Sequence, residues 1–131
     1  MGSRLALAIL HSPLRVLLDP GICELAYTGR RTGRRVRLPV IYAKAGDTVA
    51  ILSGASDTKT WWRNFTTPQP VWLRIRANTV TGIAVLARPG TTGFARALAI
   101  YKARFPDLSY EPGDRLIAVA LEPGQEHPDH A

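Results

Sequence analysis

Cysteine is almost absent from this sequence of 131 residues, in which Cys23 stands alone. One thiol cannot form a disulfide within the chain, and it cannot supply a cysteine-based metal site. The disulfide framework of a small secreted domain is therefore excluded within one chain. A reducing, cytoplasmic location is the simplest expectation.

Histidine is also scarce, since the sequence contains only His11, His127 and His130. This scatter indicates neither a metal site nor a Ser-His-Asp arrangement, and we expect no bound metal. The sequence also lacks a Walker phosphate-binding loop, a nucleophile elbow and a GxGxxG turn. If the protein is an enzyme, we expect an organic cofactor to carry the chemistry.

Long apolar runs are missing as well. The N-terminal stretch is apolar, but Arg4, His11 and Arg15 interrupt it before the ~20 residues that a membrane span needs. Leucines at helical spacing predict an amphipathic helical segment over residues 1–20. Because this segment is basic, peripheral contact with an anionic membrane is a secondary hypothesis.

From Ile22 onward, short runs rich in Val, Ile, Leu, Tyr and Thr alternate with Gly, Asn, Asp and Pro, which is typical of antiparallel strands. The predicted strands are 22–28, 35–44, 48–53, 70–77, 79–88 and 115–122. A helix is expected at 91–105 and a helical turn around Trp61 to Phe65. The pattern predicts one domain over residues 1–123, mainly β with flanking helices and built on a six-stranded barrel. The tail 124–131 reads as disordered.

Positive charge is concentrated in one place. The formal net charge is +7, and the stretch GRRTGRRVRLP at 29–39 contains five arginines. A glycine-punctuated turn between strands directs N–H groups and guanidinium groups toward one point, which suits a compact phosphate or carboxylate partner. The alternative is a solvated hairpin tip with no specific ligand.

Aromatic residues mark two further sites. In WWRNF, Trp61 or Trp62 could cover a flat ligand or plug the open end of a small barrel. Tyr110, in a loop rich in Pro and Gly, is a candidate for substrate contact. The adjacent Asp114 and Arg115 are interpreted as a structural pair. An exposed sheet face around 70–86 would need cover, which favours a homodimer.

The order of these blocks, LAYTGRRTGRRVRLPVIY, GD, ILSG, WWRNF and DRLIAVALEP, resembles the deazaflavin-dependent nitroreductase family, part of the flavin and deazaflavin oxidoreductases. The similarity covers residues 22 to 123. It implies a six-stranded antiparallel split β-barrel, like that of FMN-binding proteins, which binds the deazaflavin coenzyme F-420. The implied activity is hydride transfer from the reduced coenzyme to a small quinone, enone or nitro compound.

The resemblance also implies roles for individual residues. Arg30, Arg31 and Arg34, helped by Arg37, would meet the anionic tail of the coenzyme. Pro39 and Val40 would line the ring site, and Ser53 and Gly54 would contact the coenzyme after the third strand. Trp61 or Trp62 would help to wall the pocket. Tyr110 or Ser56 would deliver or share the proton. Many relatives read Ser-Lys-Gly-Gly after the third strand, where this chain has Ser-Gly-Ala-Ser, so Lys59 could replace a missing tail-binding lysine.

Three alternatives stay open at this point. The barrel could bind FMN, whose single phosphate needs fewer arginines, or it could carry a cofactor without turnover. A nucleic-acid-binding small barrel would use aromatic and basic residues on one strand face, and Trp72, Arg74 and Arg76 resemble such a row. No nucleic acid is expected as a partner in the leading interpretation.

Overall fold

Six antiparallel strands form the barrel of this protein, and a computed structural model describes residues 21–54 and 60–123. The strands close in the order β1-β2-β3-β6-β5-β4. Their bounds are Ile22–Thr28 (β1), Arg35–Ala45 (β2), Thr48–Ser53 (β3), Gln69–Ile75 (β4), Asn78–Ala87 (β5) and Arg115–Leu121 (β6). The six-stranded antiparallel barrel predicted from the sequence is confirmed.

Two tight turns close one end of the barrel. Gly46 and Asp47 join β2 to β3, with Gly46 at φ 59°. In the β4–β5 hairpin, Ile75 pairs with Asn78, and Arg76 adopts φ 59°. The sequence placed this second turn one residue later. The structure starts it at Arg76 because the inward positions of Ile75 and Val80 set the register, and Arg76 takes the positive φ of the turn at some conformational cost.

Alternate side chains of every strand point into the barrel, where they form one apolar core. Phe65, fully buried at 0% exposure, fills the end of this core opposite the two tight turns. Its ring meets the Tyr27 ring edge-on, with centroids 5.0 Å apart. Trp61 and Trp62 are only partly buried against the same core. The residue that plugs the barrel is therefore Phe65, and neither tryptophan is fully buried.

A helix covers part of the outer barrel wall. Helix α1 spans Thr92–Arg104, and the Thr91 side chain caps its start by accepting from the Phe94 N–H at 3.1 Å. Phe94, Leu98 and Tyr101 share its apolar face, as the sequence predicted. They pack on the outward residues of β2, β3 and β6 in a second apolar cluster. A single helix thus seals the side of the barrel behind β3 and β6.

The outer faces of β4 and β5 differ from the wall that α1 covers. Val71 and Leu73 point inward, whereas Trp72 is half-buried and Arg74 exposed, as the alternation predicted. Ile83 of β5 is 45% exposed. No helix in residues 21–54 or 60–123 is long and apolar enough to cross a membrane. The predicted helical segment 1–20 and the tail 124–131 lie outside the described residues.

The connections that carry the predicted site lie at one end of the barrel. Strands β1, β3 and β5 end there and β2, β4 and β6 begin there, because all neighbouring strands run antiparallel. We call this end the mouth; of the described residues, it comprises 29–34, 54, 60–68, 88–91 and 110–114. The tight turns at the other end leave little chain there for a binding site.

Candidate active site

The connection 29–34 between β1 and β2 folds back on itself; we call it the basic turn. The Gly29 N–H donates to the Arg34 carbonyl at 2.8 Å, and the Gly33 N–H donates to the Gly29 carbonyl at 2.9 Å. Gly33 adopts φ 71°, a conformation that glycine takes without strain. The side chains of Arg31 and Arg34 are exposed at the mouth. The turn therefore holds these two cations in a fixed backbone frame.

Arg30 fastens the basic turn to the 3-10 helix Trp61–Phe65. Its backbone N–H donates to Asn64 Oδ1 at 2.9 Å. Its Nη1 donates to the Arg63 carbonyl and to Thr66 Oγ1, both at 3.0 Å. Arg30 is exposed like Arg31 and Arg34, but part of its guanidinium is engaged in hydrogen bonds within the protein.

Arg35 and Arg37 lie on the outer wall of the barrel, below the basic turn. The Arg35 guanidinium stands 4.1 Å from the centre of the Trp72 ring, within the range of a cation–π contact. Both arginines line a shallow groove of about 130 Å³. The other lining residues are Glu24, Ala26, Trp72, Arg74 and Thr79. The Trp72 ring already has an arginine against it, so it does not present an open stacking platform.

Strand β2 separates from β3 near the mouth. The β2–β3 ladder extends from Ala45 and Thr48 to Ile41 and Leu52, whereas β2 stays paired with β1 as far as Arg35. Within the described residues, the segment 35–40 therefore has no ladder partner on its β3 side. The half-buried Pro39 lies on this segment, and the buried Val40 side chain belongs to the core. This separation is the split of the barrel.

Ser53 ends β3 beside this split. It is 2% exposed, and its Oγ has no hydrogen-bond partner among the described residues. A buried hydroxyl without a partner costs about 1–3 kcal/mol, so the fold keeps it at a penalty. Among the described residues, a Cβ added at the next residue, Gly54, would meet Asp114 Oδ1 alone, at 3.6 Å. The Ser53 hydroxyl thus has a hydrogen bond to give, and Gly54 beside it leaves space because it has no side chain. This combination suits a flat ring with polar atoms at its edge.

Five residues of the 105–114 connection and its surroundings form a linked group near the start of β6. The Tyr110 hydroxyl donates to the Asp114 carbonyl at 2.8 Å, and Arg115 Nη1 donates to the same oxygen at 3.0 Å. The Asp114 side chain is buried, and its Oδ2 accepts from the Glu111 N–H at 2.8 Å. The Arg115 guanidinium lies 4.8 Å from the centre of the Trp62 ring.

Burial raises the pKa of the Tyr110 hydroxyl above its ordinary value of 10.0. The Arg115 charge lowers that pKa and the Asp114 charge raises it, and the net shift is upward. Tyr110 therefore keeps its proton at neutral pH and remains a donor. A group that holds its proton until a stronger base forms nearby can act as a general acid.

The structure brings most of the predicted residues to the mouth. These are Arg30, Arg31, Arg34, Ser53, Gly54, Trp61, Trp62 and Tyr110. Pro39 and Val40 lie below it along the split, and Arg37 lies on the outer wall. Ser56 and Lys59 fall outside the described residues. Arg115 was interpreted as merely structural, although its parity with the inward-facing Ile117 and Val119 already pointed it into the barrel.

Solved structures that resemble this chain show that its fold is the split barrel. The heme storage protein HutZ from Vibrio cholerae matches with a TM-score of 0.60 and 14% identity over 87% of this chain and 90% of that one. The F420-H2 dependent reductase FDR-A matches with a TM-score of 0.56 and 14% identity over 77% and 95%. The FAD and heme binding protein from Mycobacterium smegmatis matches with a TM-score of 0.52 and 18% identity over 87% and 66%.

A comparison with a protein-family model identifies the family to which the chain belongs. Residues 16–126 match the model of the F420H(2)-dependent quinone reductase, and the chain belongs to that family. The predicted oxidoreductase activity and the coenzyme F-420 are thereby confirmed. No curated protein matches the sequence. The described residues contain no group of three metal-ligating side chains.

Proposed function

We propose that this protein transfers a hydride from reduced coenzyme F-420 to a small quinone, enone or nitro compound bound at the mouth. The observation that carries the proposal is the buried Ser53 hydroxyl, which lacks a partner in the described part of the chain and lies beside the split. The site thus offers a hydrogen bond that the protein does not use for itself.

The basic turn would hold the anionic tail of the coenzyme. Arg31 and Arg34 are exposed at the mouth, and their planar guanidinium groups match phosphate and carboxylate oxygens in pairs of hydrogen bonds. Arg30 would contribute through the fixed frame of the turn and through the part of its guanidinium that faces outward. Arg37 would meet only a tail that continues down the outer wall.

The ring of the coenzyme would lie along the split. Ser53 and Gly54 would face one polar edge of it, and Pro39 and Val40 would bound it from β2. Trp61 and Trp62, both half-buried on the 3-10 helix, would wall the site and exclude water. Hydride transfer needs the donor and acceptor faces in contact, so the walls contribute mainly by orientation.

The coenzyme supplies the hydride, and the protein must supply a proton to the reduced acceptor. Tyr110 is one of the two proton donors predicted from the sequence, and its hydroxyl lies at the mouth, where it donates to the Asp114 carbonyl. The hydroxyl now donates to the Asp114 carbonyl and would turn toward the acceptor when negative charge develops there. Ser56 keeps its predicted role in this proposal.

The proposal includes a homodimer and a cytoplasmic location. The outer face of β5 exposes Ile83, which lies across from Pro70 on β4 and Ala120 on β6, so an apolar strip is presented there. Such a strip on a sheet is typical of association between subunits. The free, buried thiol of Cys23 fits a reducing compartment.

FMN binding is the second candidate, favoured by the same split and the same Ser53. It would use one phosphate and would leave most of the basic turn without a ligand. The test is a fluorescence titration of the purified protein with coenzyme F-420 and, in parallel, with FMN. Micromolar binding of the deazaflavin alone supports the proposal, FMN binding alone replaces the coenzyme, and binding of neither contradicts both.

A further inference from the structure

Arg115 occupies the start of β6, directly across from Ser53 in the β3–β6 ladder. Ile117 and Val119, of the same parity, face the barrel core, so Arg115 faces the mouth end of that core. Directly opposed residues of an antiparallel pair have Cβ atoms about 5 Å apart. A half-buried guanidinium is therefore the cross-strand neighbour of the orphaned Ser53 hydroxyl.

The contacts of Arg115 orient its guanidinium without neutralising it. One N–H bonds to the backbone carbonyl of Asp114, while the carboxylate of Asp114 accepts from the Glu111 N–H. The guanidinium also lies against the Trp62 ring. Arginine carries five N–H donors, and the part of the chain that the structure describes uses one of them. Among the residues that the structure describes, the other four N–H donors of Arg115 have no hydrogen-bond partner.

We propose that Arg115 binds the acceptor oxygen on which negative charge develops during reduction, next to the coenzyme edge that the Ser53 hydroxyl across the ladder would meet. This inference rests on the proposed function and adds a residue to it. The ligand class is a carbonyl or nitro oxygen on a flat ring. Trp62 would contact the ring of that acceptor and hold Arg115 in place.

The reaction balances with the reductant already named. The acceptor receives a hydride, that is two electrons and one hydrogen, and reduced coenzyme F-420 is oxidised. In a quinone, the C–H bond of the reduced coenzyme would break as its hydride forms a new C–H bond at a ring carbon conjugated with the carbonyl. The ring π electrons would shift toward the carbonyl carbon, and the carbonyl π pair would move onto oxygen. Arg115 stabilises that oxyanion by charge and hydrogen bonding until the Tyr110 proton reaches it. The Tyr110 hydroxyl and the Arg115 guanidinium donate to the same Asp114 carbonyl oxygen, at 2.8 and 3.0 Å.

The test compares Arg115→Gln with Arg115→Lys and with a matched control, Arg63→Gln. Arg63 is exposed on the 3-10 helix, and its guanidinium lies 5.5 Å from the same Trp62 ring. Three readouts are needed: the Kd of coenzyme F-420, the steady-state reduction of 1,4-naphthoquinone, and quenching of tryptophan fluorescence by benzoate in the protein without coenzyme. Benzoate is the probe for an aromatic oxyanion.

We expect Arg115→Gln to lower kcat for naphthoquinone by about 10²-fold, the cost of removing one oxyanion donor, with the Kd of coenzyme F-420 unchanged. Benzoate quenching should weaken in this variant and persist in Arg63→Gln. Arg115→Lys should fall between the two, because lysine keeps the charge and loses the planar fork. In the unmodified protein, benzoate should compete with naphthoquinone and not with the coenzyme.

Several outcomes would overturn the inference. Unchanged kcat in Arg115→Gln, loss of coenzyme binding in a folded Arg115→Gln, or equal benzoate quenching in all variants would each do so. If Arg115→Gln fails to fold, Arg115→Lys and the benzoate competition decide the matter. Failure of the unmodified protein to bind coenzyme F-420 would instead contradict the proposed function, which separates the two failures.

Discussion

The backbone N–H of Arg30 donates to Oδ1 of Asn64 at 2.9 Å, which joins the basic turn to the 3-10 helix that plugs the barrel. Replacing Asn64 with Ala removes this acceptor and also the donor that Asn64 gives to the Trp61 carbonyl. We expect the free energy of unfolding to fall by about 1–2 kcal/mol, measured by urea denaturation. Coenzyme affinity should fall as well, because the turn loses its frame.

Asn64→Asp is the matched control for this change. The carboxylate keeps an acceptor for the Arg30 N–H and loses the donor to the Trp61 carbonyl. Asn64→Asp should therefore retain most of the coenzyme affinity that Asn64→Ala loses. Equal affinity in all three proteins would show that the link to the helix does not position the turn.

Removal of the Ser53 hydroxyl should separate stability from binding. Because Oγ is buried and lacks a partner in the described residues, Ser53→Ala should leave the free energy of unfolding unchanged or raise it by about 1 kcal/mol. The same variant should bind coenzyme F-420 about tenfold more weakly, the effect of one lost hydrogen bond of about 1.4 kcal/mol. Thermal denaturation and fluorescence titration measure the two effects.

Ser109→Ala, at an exposed loop position, is the control for this substitution. It should change neither quantity. A Ser53→Ala protein that is destabilised and binds coenzyme normally would mean that the hydroxyl serves the fold and not the ligand.

The exposed arginines of the basic turn should distinguish the tail of the coenzyme from its ring. The double variant Arg31→Ala and Arg34→Ala should weaken binding of coenzyme F-420 by about tenfold or more, since each charged hydrogen bond contributes about 1.5–3 kcal/mol before screening by salt. The riboflavin-like analogue without the tail should lose little affinity. Fluorescence titration at two salt concentrations measures both ligands.

A charge-matched control is available on α1. Arg96→Ala with Lys102→Ala removes two exposed positive charges that lie on the helix and not on the basic turn. This control should leave both affinities unchanged. If it weakens the coenzyme as much as the turn variant does, the effect is one of net charge and not of contact.

The buried thiol of Cys23 should be inert in the folded protein. Burial, with a smaller contribution from the Glu24 charge, raises its pKa from the ordinary value of 9.0 to about 12. A disulfide reagent at pH 8 should therefore label it only after unfolding. Rapid labelling of the native protein would contradict the burial of this residue.

The same shift makes stability depend on alkaline pH. Above pH 9 the unfolded thiol loses its proton while the folded one keeps it up to about pH 12, so the free energy of unfolding falls as the pH rises. One such group contributes up to about 1.4 kcal/mol per pH unit. Cys23→Ala should flatten the curve. Burial also raises the pKa of Tyr101. Tyr101 should therefore contribute the part of the pH dependence that remains in Cys23→Ala, and Tyr101→Phe should remove that part.

The strands were predictable because their signals are local. Alternation of apolar and polar residues fixes which face of β4 is buried, and glycine, asparagine and aspartate mark the ends. The second hairpin shows the limit of such signals. The sequence offers asparagine as the turn residue, but the inward positions of Ile75 and Val80 set the register and place Arg76 in the turn instead.

The site was predictable in position and only partly in role. The cluster of arginines predicts an anion-binding site. It does not predict that Arg30 bonds to Asn64 and Thr66, because these residues are close to it in space and far from it in sequence. The orphaned state of Ser53 depends on every neighbour at once, so no pattern of residue types reveals it. The position of Arg115 was predictable from the sequence. It alternates in step with Ile117 and Val119, which face the core, but we interpreted it only as the partner of Asp114.

The tight turn at Gly46 and Asp47 lies at the end of the barrel away from the mouth, and Asp47 is exposed. A cysteine introduced there, Asp47→Cys, would be exposed, whereas the native thiol of Cys23 is buried and protonated. One attachment chemistry could thus fix the molecule to an electrode or a bead by its blind side. The mouth of every attached molecule would then face the solution, and the support would block none of the binding sites.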